Sequence, residues 1–253
     1  MTEPAPTSFR LAYVPGVTPT KWVRIWGERM PDVRLELIAV TAGDAVDLLR
    51  SGGADAGLVR LPIDRDGLSV IALYEETPVV VVPKDHLLTA ADEMAAADLA
   101  DEIVLHPHDD TLEWASRPGT AAQHRPDTTA DAVELVAAGV GVLVVPQSLA
   151  RLHHRKDLTY RTVTDAPVSP VALAWPAGTT TDLVEEFVGI VRGRSANSTR
   201  GRGGDEPAPK RTASQKAAAK RAAREEAGKI PAQRAGKAGK SVKGRSAPKR
   251  GRR

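Results

Sequence analysis

The chain has 253 residues, with 35 Lys and Arg, 32 Asp and Glu, and no cysteine. The lack of cysteine excludes disulfides, thiolate metal sites and Cys nucleophiles, and it suits a reducing compartment. Residues 195–253 hold 18 Lys and Arg against 4 Asp and Glu, which leaves 17 against 28 for residues 1–194. An acidic body is therefore followed by a strongly basic tail, and the two regions are expected to meet different partners.

The first ten residues contain no basic stretch followed by an apolar run, and no later run approaches the roughly 18 apolar residues that a membrane span needs. We therefore expect a soluble, cytoplasmic protein with no membrane partner. Residues 1–194 are numerous enough to bury a core. The tail has almost no large apolar side chains, so we expect it to be disordered.

Short apolar runs alternate with amphipathic segments along the body, which is the pattern of strands joined by helices. The predicted strands are residues 9–14, 33–40, 55–61, 68–73, 77–82, 103–106, 140–145, 158–163 and 171–175. The predicted helices are residues 20–29, 43–51, 129–138 and 182–192, with a short helix from residue 147. This order predicts an α/β fold with mostly parallel sheets.

Aromatic and histidine residues give little support for catalysis. Trp22 and Trp26 share one face of the first helix, which favours core or dimer packing over a ligand box. The His-Pro-His-Asp-Asp loop at residues 106–110 favours a solvated surface over a metal site. No Gly-x-Ser-x-Gly, His-Glu-x-x-His or Walker-type motif is present, and the glycines at residues 139 and 141 suit a tight turn. We therefore expect neither an enzyme nor a cofactor.

Several stretches of the body match one family in order and spacing. They are FRLAYVPG at residues 9–16, MPDVRLELIAV at 30–40, GDAVDLLRSGGADAGLV at 43–59, PVVVVPKDHLL at 78–88, VELVAAGVGVLVVPQSLA at 133–150 and PVALAWPAG at 170–178. Residues 9–193 resemble the effector-binding domain of LysR-type transcriptional regulators.

The resemblance implies a two-lobed, type 2 periplasmic-binding-protein-like fold over residues 8–194. Lobe one would comprise residues 8–82 and 165–194, lobe two residues 83–164, and residues 195–253 would form the tail. A small anionic metabolite would bind in the cleft between the lobes, where strand ends and helix N-termini converge. Domains of this family also tend to form homodimers.

Two threonines match places where the family puts ligand-contacting hydroxyls. They are Thr18, at the first strand-to-helix turn, and Thr41, at the second. Plain helix capping explains both positions equally well. The further ligand-binding candidates are Pro62, His106, Thr128 and Pro146.

The family carries a helix-turn-helix ahead of this domain, whereas here the first predicted strand begins at residue 9. The resemblance therefore predicts either a sensor that does not itself bind DNA or a basic tail that contacts nucleic acid without reading its sequence. The tail resembles those of linker histones. Its candidate nucleic-acid-binding residues are Arg200, Arg202, Lys210, Arg211, Lys216, Lys220, Arg221 and Arg224.

Two functional hypotheses remain open at this point. The first is an effector-sensing domain that regulates transcription, with the tail holding it at nucleic acid and near the nucleoid. The second is a nucleoid-associated or scaffold protein that dimerises and whose ligand cleft is vestigial. For the tail, a solvated extension and a contact with the acidic body are further alternatives.

Overall fold

The computed structural model describes residues 8–178 and 180–194. The predicted disorder of residues 195–253 and the candidate nucleic-acid-binding side chains lie outside these residues. No helix of the described residues is both long and apolar enough to pass through a lipid bilayer.

The described strands and helices follow one another in an α/β order. The strands are β1 (Ser8–Tyr13), β2 (Arg34–Ala39), β3 (Ala56–Arg60), β4 (Leu68–Glu76), β5 (Pro78–Pro83), β6 (Glu93–Met94), β7 (Ile103–Leu105), β8 (Thr120–Ala121), β9 (Val142–Pro146), β10 (Leu158–Val163) and β11 (Ser169–Pro176). The helices are α1 (Thr20–Arg29), α2 (Ala45–Arg50), α3 (Thr129–Ala137), α4 (Gln147–Leu152) and α5 (Asp182–Val191). Two short 3₁₀ helices span Leu87–Ala90 and Ala96–Leu99.

The strands form two separate sheets, one in each lobe. The sheet of lobe one has the order β2-β1-β3-β11-β4, and that of lobe two has the order β6-β10-β5-β9-β7-β8. Five of the described pairings are parallel and four are antiparallel. The sheets are therefore mixed. The antiparallel pairings are β3 with β11 and β4 with β11 in lobe one, and β5 with β9 and β5 with β10 in lobe two.

A cluster of three aromatic rings forms the centre of lobe one. The ring centroids of Phe9 and Trp26 lie 4.7 Å apart, and those of Phe9 and Phe187 lie 5.3 Å apart. Trp26 is buried and donates its indole N–H to the carbonyl of Val33 at 2.9 Å, while Trp22 packs partly buried against the same core. The apolar face of α1 is thus core, as its helical spacing predicted.

The sheet of lobe two is covered on both faces. In β5, Val79 and Val81 point into one buried cluster with α3, whereas Val80 and Val82 point into another. Successive side chains of a strand face opposite sides of the sheet, so a run of four valines fills both layers. Such a continuous apolar run is typical of a strand buried on both faces.

One lobe boundary differs from the sequence-based prediction. β5 pairs with β9 and β10 of lobe two, although residues 78–82 had been assigned to lobe one. The chain therefore crosses at Thr77, and it returns between Val163 and Ser169. β4 and β5 are separated by one residue, and it is the pairing of each strand with its partners that decides which sheet it joins.

Two very short strands were not predicted. β6 and β8 lie in stretches for which the sequence predicts neither a strand nor a helix. A strand of two residues shows no periodicity, so its pairing with a neighbour is the feature that defines it.

Candidate ligand-binding cleft

The larger described cavity opens between the two lobes and has a volume of about 700 Å³. Lobe one contributes residues that follow β1 and β2, and lobe two contributes residues of α4. The lining residues are Tyr13, Pro15, Gly16, Val17, Thr18, Ala39, Val40, Thr41, Ser148, Arg151 and Leu152.

The parallel pairing of β1 and β2 explains why Thr18 and Thr41 lie in the same cleft. The register that pairs Tyr13 with Ala39 places the carboxyl ends of both strands at one edge of the sheet. The amide of Val40 donates to the carbonyl of Tyr13 at 3.1 Å and holds the two following loops together. Ligands of open α/β sheets commonly bind outside the carboxyl ends of such strands.

A buried ion pair lies directly beneath the cleft. The guanidinium Nη1 of Arg60 donates to Oε2 of Glu76 at 2.8 Å and to Oγ of Ser169 at 3.1 Å. The exposed fractions of the Arg60 and Glu76 side chains are 2% and 9%. Ion pairs removed from water in this way depend on full hydrogen bonding of both partners.

The same guanidinium joins lobe one to lobe two. Its Nη2 donates to the carbonyl of Pro15 at 3.1 Å and to Oγ of Ser148 at 2.9 Å, and Ser148 in turn donates to Oε2 of Glu76 at 2.5 Å. Pro15 and Ser148 also line the cleft. The polar base of the cleft is therefore already hydrogen bonded within the protein.

The hydroxyl of Thr41 forms a local turn that Thr128 repeats in lobe two. Thr41 Oγ1 donates to Asp44 Oδ2 at 2.7 Å and accepts from the Asp44 amide at 3.2 Å. Thr128 Oγ1 makes the corresponding bonds with Asp131 at 2.6 and 3.1 Å, as the N-cap of α3. The two threonines share one local structure, but of the two only Thr41 lines the cleft.

Thr18 has a different setting. It is exposed, and the N-cap position of α1 belongs to Pro19, with no side-chain capping bond. Capping therefore does not account for Thr18, although the sequence had offered that explanation. The amide of Trp22 bonds the Pro19 carbonyl, and the amides before it have no acceptor within the helix, as at any helix N-terminus.

The other predicted residues lie apart from this cleft. Pro62 lines a smaller cavity of about 380 Å³, whose lining residues are Leu61, Pro62, Ile63, Arg65, Thr111, Glu113, Pro167, Val168 and Pro170. Pro146 is buried opposite Pro78 where β9 ends. His106 is buried with its Nδ1 3.9 Å from Oδ2 of Asp110. His106, Thr128 and Pro146 line neither of these two cavities.

The loop at residues 106–110 is less solvated than the sequence predicted. Arg125 donates to the carbonyls of His106 and Pro107 at 2.7 and 2.9 Å, and Thr129 donates to Oδ1 of Asp109 at 2.8 Å. These bonds fold the loop against α3. In the described part of the chain, no three His, Asp or Glu side chains are grouped so that they could hold a metal ion.

One tyrosine beside the ion pair has a shifted pKa. Tyr74 lies two residues before Glu76 on β4, and 40% of its surface is exposed. Burial raises the pKa of the Tyr74 hydroxyl, and the negative charge of Glu76 raises it further. The fold thus favours the neutral form of Tyr74.

Arg60, Glu76, Ser148 and Arg151 were not singled out from the sequence. Arg60 had a usable signal, because it ends a strand whose other residues are all buried and apolar. A charged residue in that position requires buried partners. Ser148 and Arg151 lie on a short helix with ordinary composition, and no local pattern distinguishes them.

The body of the chain is similar to known proteins. The family described as the LysR substrate binding domain matches residues 7–196. A probable hydrogen peroxide-inducible genes activator of Mycobacterium avium is 30% identical over 159 residues, which are 58% of this chain and 51% of that protein. The HTH-type transcriptional regulator CatR of Pseudomonas putida is 30% identical over 171 residues, 63% of this chain and 58% of that protein. The chain thus spans little more than half the length of these relatives.

Solved structures show the same fold. The BenM effector binding domain with its effector benzoate is 22% identical, with a TM-score of 0.63 over 74% of this chain and 90% of that chain. The oxidised form of OxyR is 20% identical, with a TM-score of 0.63 over 75% of this chain and 96% of that chain. The described body therefore has the two-lobed fold of these domains, and the chain belongs to the LysR substrate-binding-domain family.

Proposed function

We propose that the body of this protein binds a small-molecule effector and that this binding regulates transcription. The supporting observation is the cleft of about 700 Å³ lined by both lobes. A ligand that touches both walls stabilises one arrangement of the lobes over others, by as much as its affinity differs between them. The volume of the cleft lies in the usual range for small-molecule sites.

Thr18 and Thr41 are the proposed ligand-contacting hydroxyls of lobe one. Both line the cleft. Thr18 precedes the N-terminus of α1, where free amides and the helix dipole favour an anionic group. Pro62, His106, Thr128 and Pro146 are not part of this proposed site.

The effector is proposed to act by binding and not by oxidising a thiol. Two features support this choice, namely the lining of the cleft and the absence of cysteine from this chain. The similarity to a peroxide-inducible activator therefore supports the fold and the regulatory class, and it does not support peroxide as the signal.

A metabolite panel tested by thermal shift, followed by calorimetric titration of each hit, examines this function. A ligand present at about a hundred times its Kd adds about 2.7 kcal/mol of stability. We expect Thr18→Val and Thr41→Val to weaken a hit by the loss of a hydrogen bond, about 0.5–1.5 kcal/mol each. Unchanged affinity in both variants would contradict the site.

Thr128→Val is the matched control for Thr41→Val. It removes the same hydroxyl from the same local turn, at a distance from the cleft. We expect it to lower stability as Thr41→Val does and to leave ligand affinity unchanged. If no metabolite stabilises the protein, the proposal fails, and a dimerising scaffold with a vestigial cleft becomes the better hypothesis.

We further propose that the basic tail contacts nucleic acid without reading sequence, which would keep this cytoplasmic protein near the nucleoid. The support is the excess of basic residues in residues 195–253, which hold 18 Lys and Arg against 4 Asp and Glu. If about 6 of these charges met phosphates, affinity would fall roughly a thousandfold between about 50 and about 200 mM salt.

A full-length variant with all 18 Lys and Arg of residues 195–253 replaced by Gln, including the eight candidate cations, tests the tail. We expect its gel-shift affinity for duplexes of unrelated sequence to fall sharply, together with the salt dependence. Equal binding by the variant and the natural protein would remove the tail from the mechanism.

A further inference from the structure

The described wall of the cleft carries one charged side chain. That residue is Arg151, in the last turn of α4 of lobe two. The remaining lining residues are apolar or carry hydroxyls, and no Asp or Glu is among them. The cleft is therefore apolar with a cation on one side.

The terminal nitrogens of Arg151 have no protein partner among the described residues. Its Nε donates to the hydroxyl of Tyr160 at 3.3 Å, and none of the described salt bridges includes it. By contrast, Arg155, four residues later, is bound by both Asp157 and Glu134. The fork of an arginine matches a carboxylate with two parallel hydrogen bonds.

Two of the other polar side chains of the cleft are occupied by bonds within the protein. Ser148 is held between Arg60 and Glu76, and Thr41 is engaged with Asp44. A ligand anion would have to compete with these internal bonds. At Arg151 it would meet a positive charge that no described carboxylate neutralises.

We propose that Arg151 is the specificity-determining residue of the cleft, and that it selects ligands with a single acidic group attached to an apolar body. The inference rests on the proposed function. The apolar body of the ligand would lie against Tyr13, Val17 and Leu152. Its acidic group would then bind Arg151, so that one ligand contacts both lobes. Such a ligand can form its charge-assisted hydrogen bond with Arg151 only when α4 lies opposite the lobe-one wall of the cleft.

Matched pairs of probes test the inference with the full-length protein. Benzoate, cinnamate, hexanoate and octanoate are titrated beside their primary amides, which keep the shape and remove the charge. We expect at least one carboxylate to bind and its amide to bind about ten-fold more weakly. The expected ratio is near the lower limit for a charged hydrogen bond because Arg151 is exposed.

Three variants locate the source of this preference. Arg151→Gln should abolish the ratio between carboxylate and amide, while Arg151→Lys should retain part of it. Lys156→Gln removes the same charge from an exposed position outside the cleft and should leave the ratio unchanged. A purely structural role for Arg151 would change both affinities together and would not alter the ratio.

The outcomes separate the two proposals. If carboxylates and amides bind the natural protein equally, or if Arg151→Gln retains the preference, the inference is wrong and the proposed function stands. If no probe of either kind binds at millimolar concentration, the inference is wrong, and the metabolite panel alone decides the proposed function.

Discussion

The two lobes have related folds but differently built interiors. Lobe one is centred on the clustered rings of Phe9, Trp26 and Phe187, whereas the described core of lobe two consists chiefly of Val, Leu and Ala on the two faces of its sheet. Lobe one supplies loops and hydroxyls to the cleft, and lobe two supplies its charge. The lining of the cleft is thus shared between an aromatic-anchored lobe and an aliphatic one.

The largest expected effects test the difference between the two interiors. Phe187→Ala removes a fully buried ring from the aromatic cluster and should lower the free energy of unfolding by about 3–5 kcal/mol. Leu143→Ala, a fully buried site in lobe two, should cost about 2–5 kcal/mol, without the added loss of ring contacts. Denaturant unfolding of both variants measures the difference, and a larger loss for Leu143→Ala would contradict the comparison.

The junction between the lobes should respond almost as strongly. Arg60→Met leaves Glu76 buried without its cation, which should cost about 3–5 kcal/mol. The double variant with Glu76→Met should cost less than Arg60→Met alone, because no unpaired buried charge remains. A double-mutant cycle on unfolding free energies measures the coupling, and additive losses would show that the pair does not act as a unit.

Gly16 allows a smaller and more local test of the junction. Its φ is +82°, and an added Cβ would lie 2.5 Å from Ser148 Oγ and 2.9 Å from Arg60 Nη2. Gly139 in lobe two has a φ of +75° with open space around it. Gly139→Ala should cost the backbone term alone, about 1–2 kcal/mol, and Gly16→Ala should cost more. Equal losses in denaturant unfolding would mean that the groups around Gly16 at the junction move apart without cost.

The smallest effect concerns pH. The pKa of Tyr74 is raised in the fold, so its contribution to stability is complete below the ordinary tyrosine pKa of about 10 and is lost as the pH rises through the folded value. Tyr74→Phe should therefore reduce the loss of stability in alkali. Ultraviolet titration of tyrosinate in both proteins checks the shift, and identical curves per tyrosine would contradict it.

Local patterns predicted most of the secondary structure in both lobes. The apolar face of α1, the buried valines of β5 and the turn after α3 all follow from periodicity and composition. The same patterns failed to assign β5 to its lobe and missed β6 and β8. Those features depend on which strands pair, and pairing partners lie far away in the sequence.

The candidate site divides in the same way. Thr18 and Thr41 were predicted from the family resemblance, and both line the cleft. Arg151 and the Arg60–Glu76–Ser148 bonds were not foreseen, because each joins residues from separate segments. Pro62 was predicted for the same site and lines a different cavity.

By itself, the sequence determined the α/β class, the family and the division into an acidic body and a basic tail, because these follow from composition, periodicity and the order of motifs. Tertiary structure decided which sheet β5 joins, which hydroxyls reach the cleft and that Arg151, the charged residue of the described cleft lining, has no carboxylate partner there. These properties depend on distances between atoms of separate chain segments, and such distances exist only after the strands have paired and the lobes have packed.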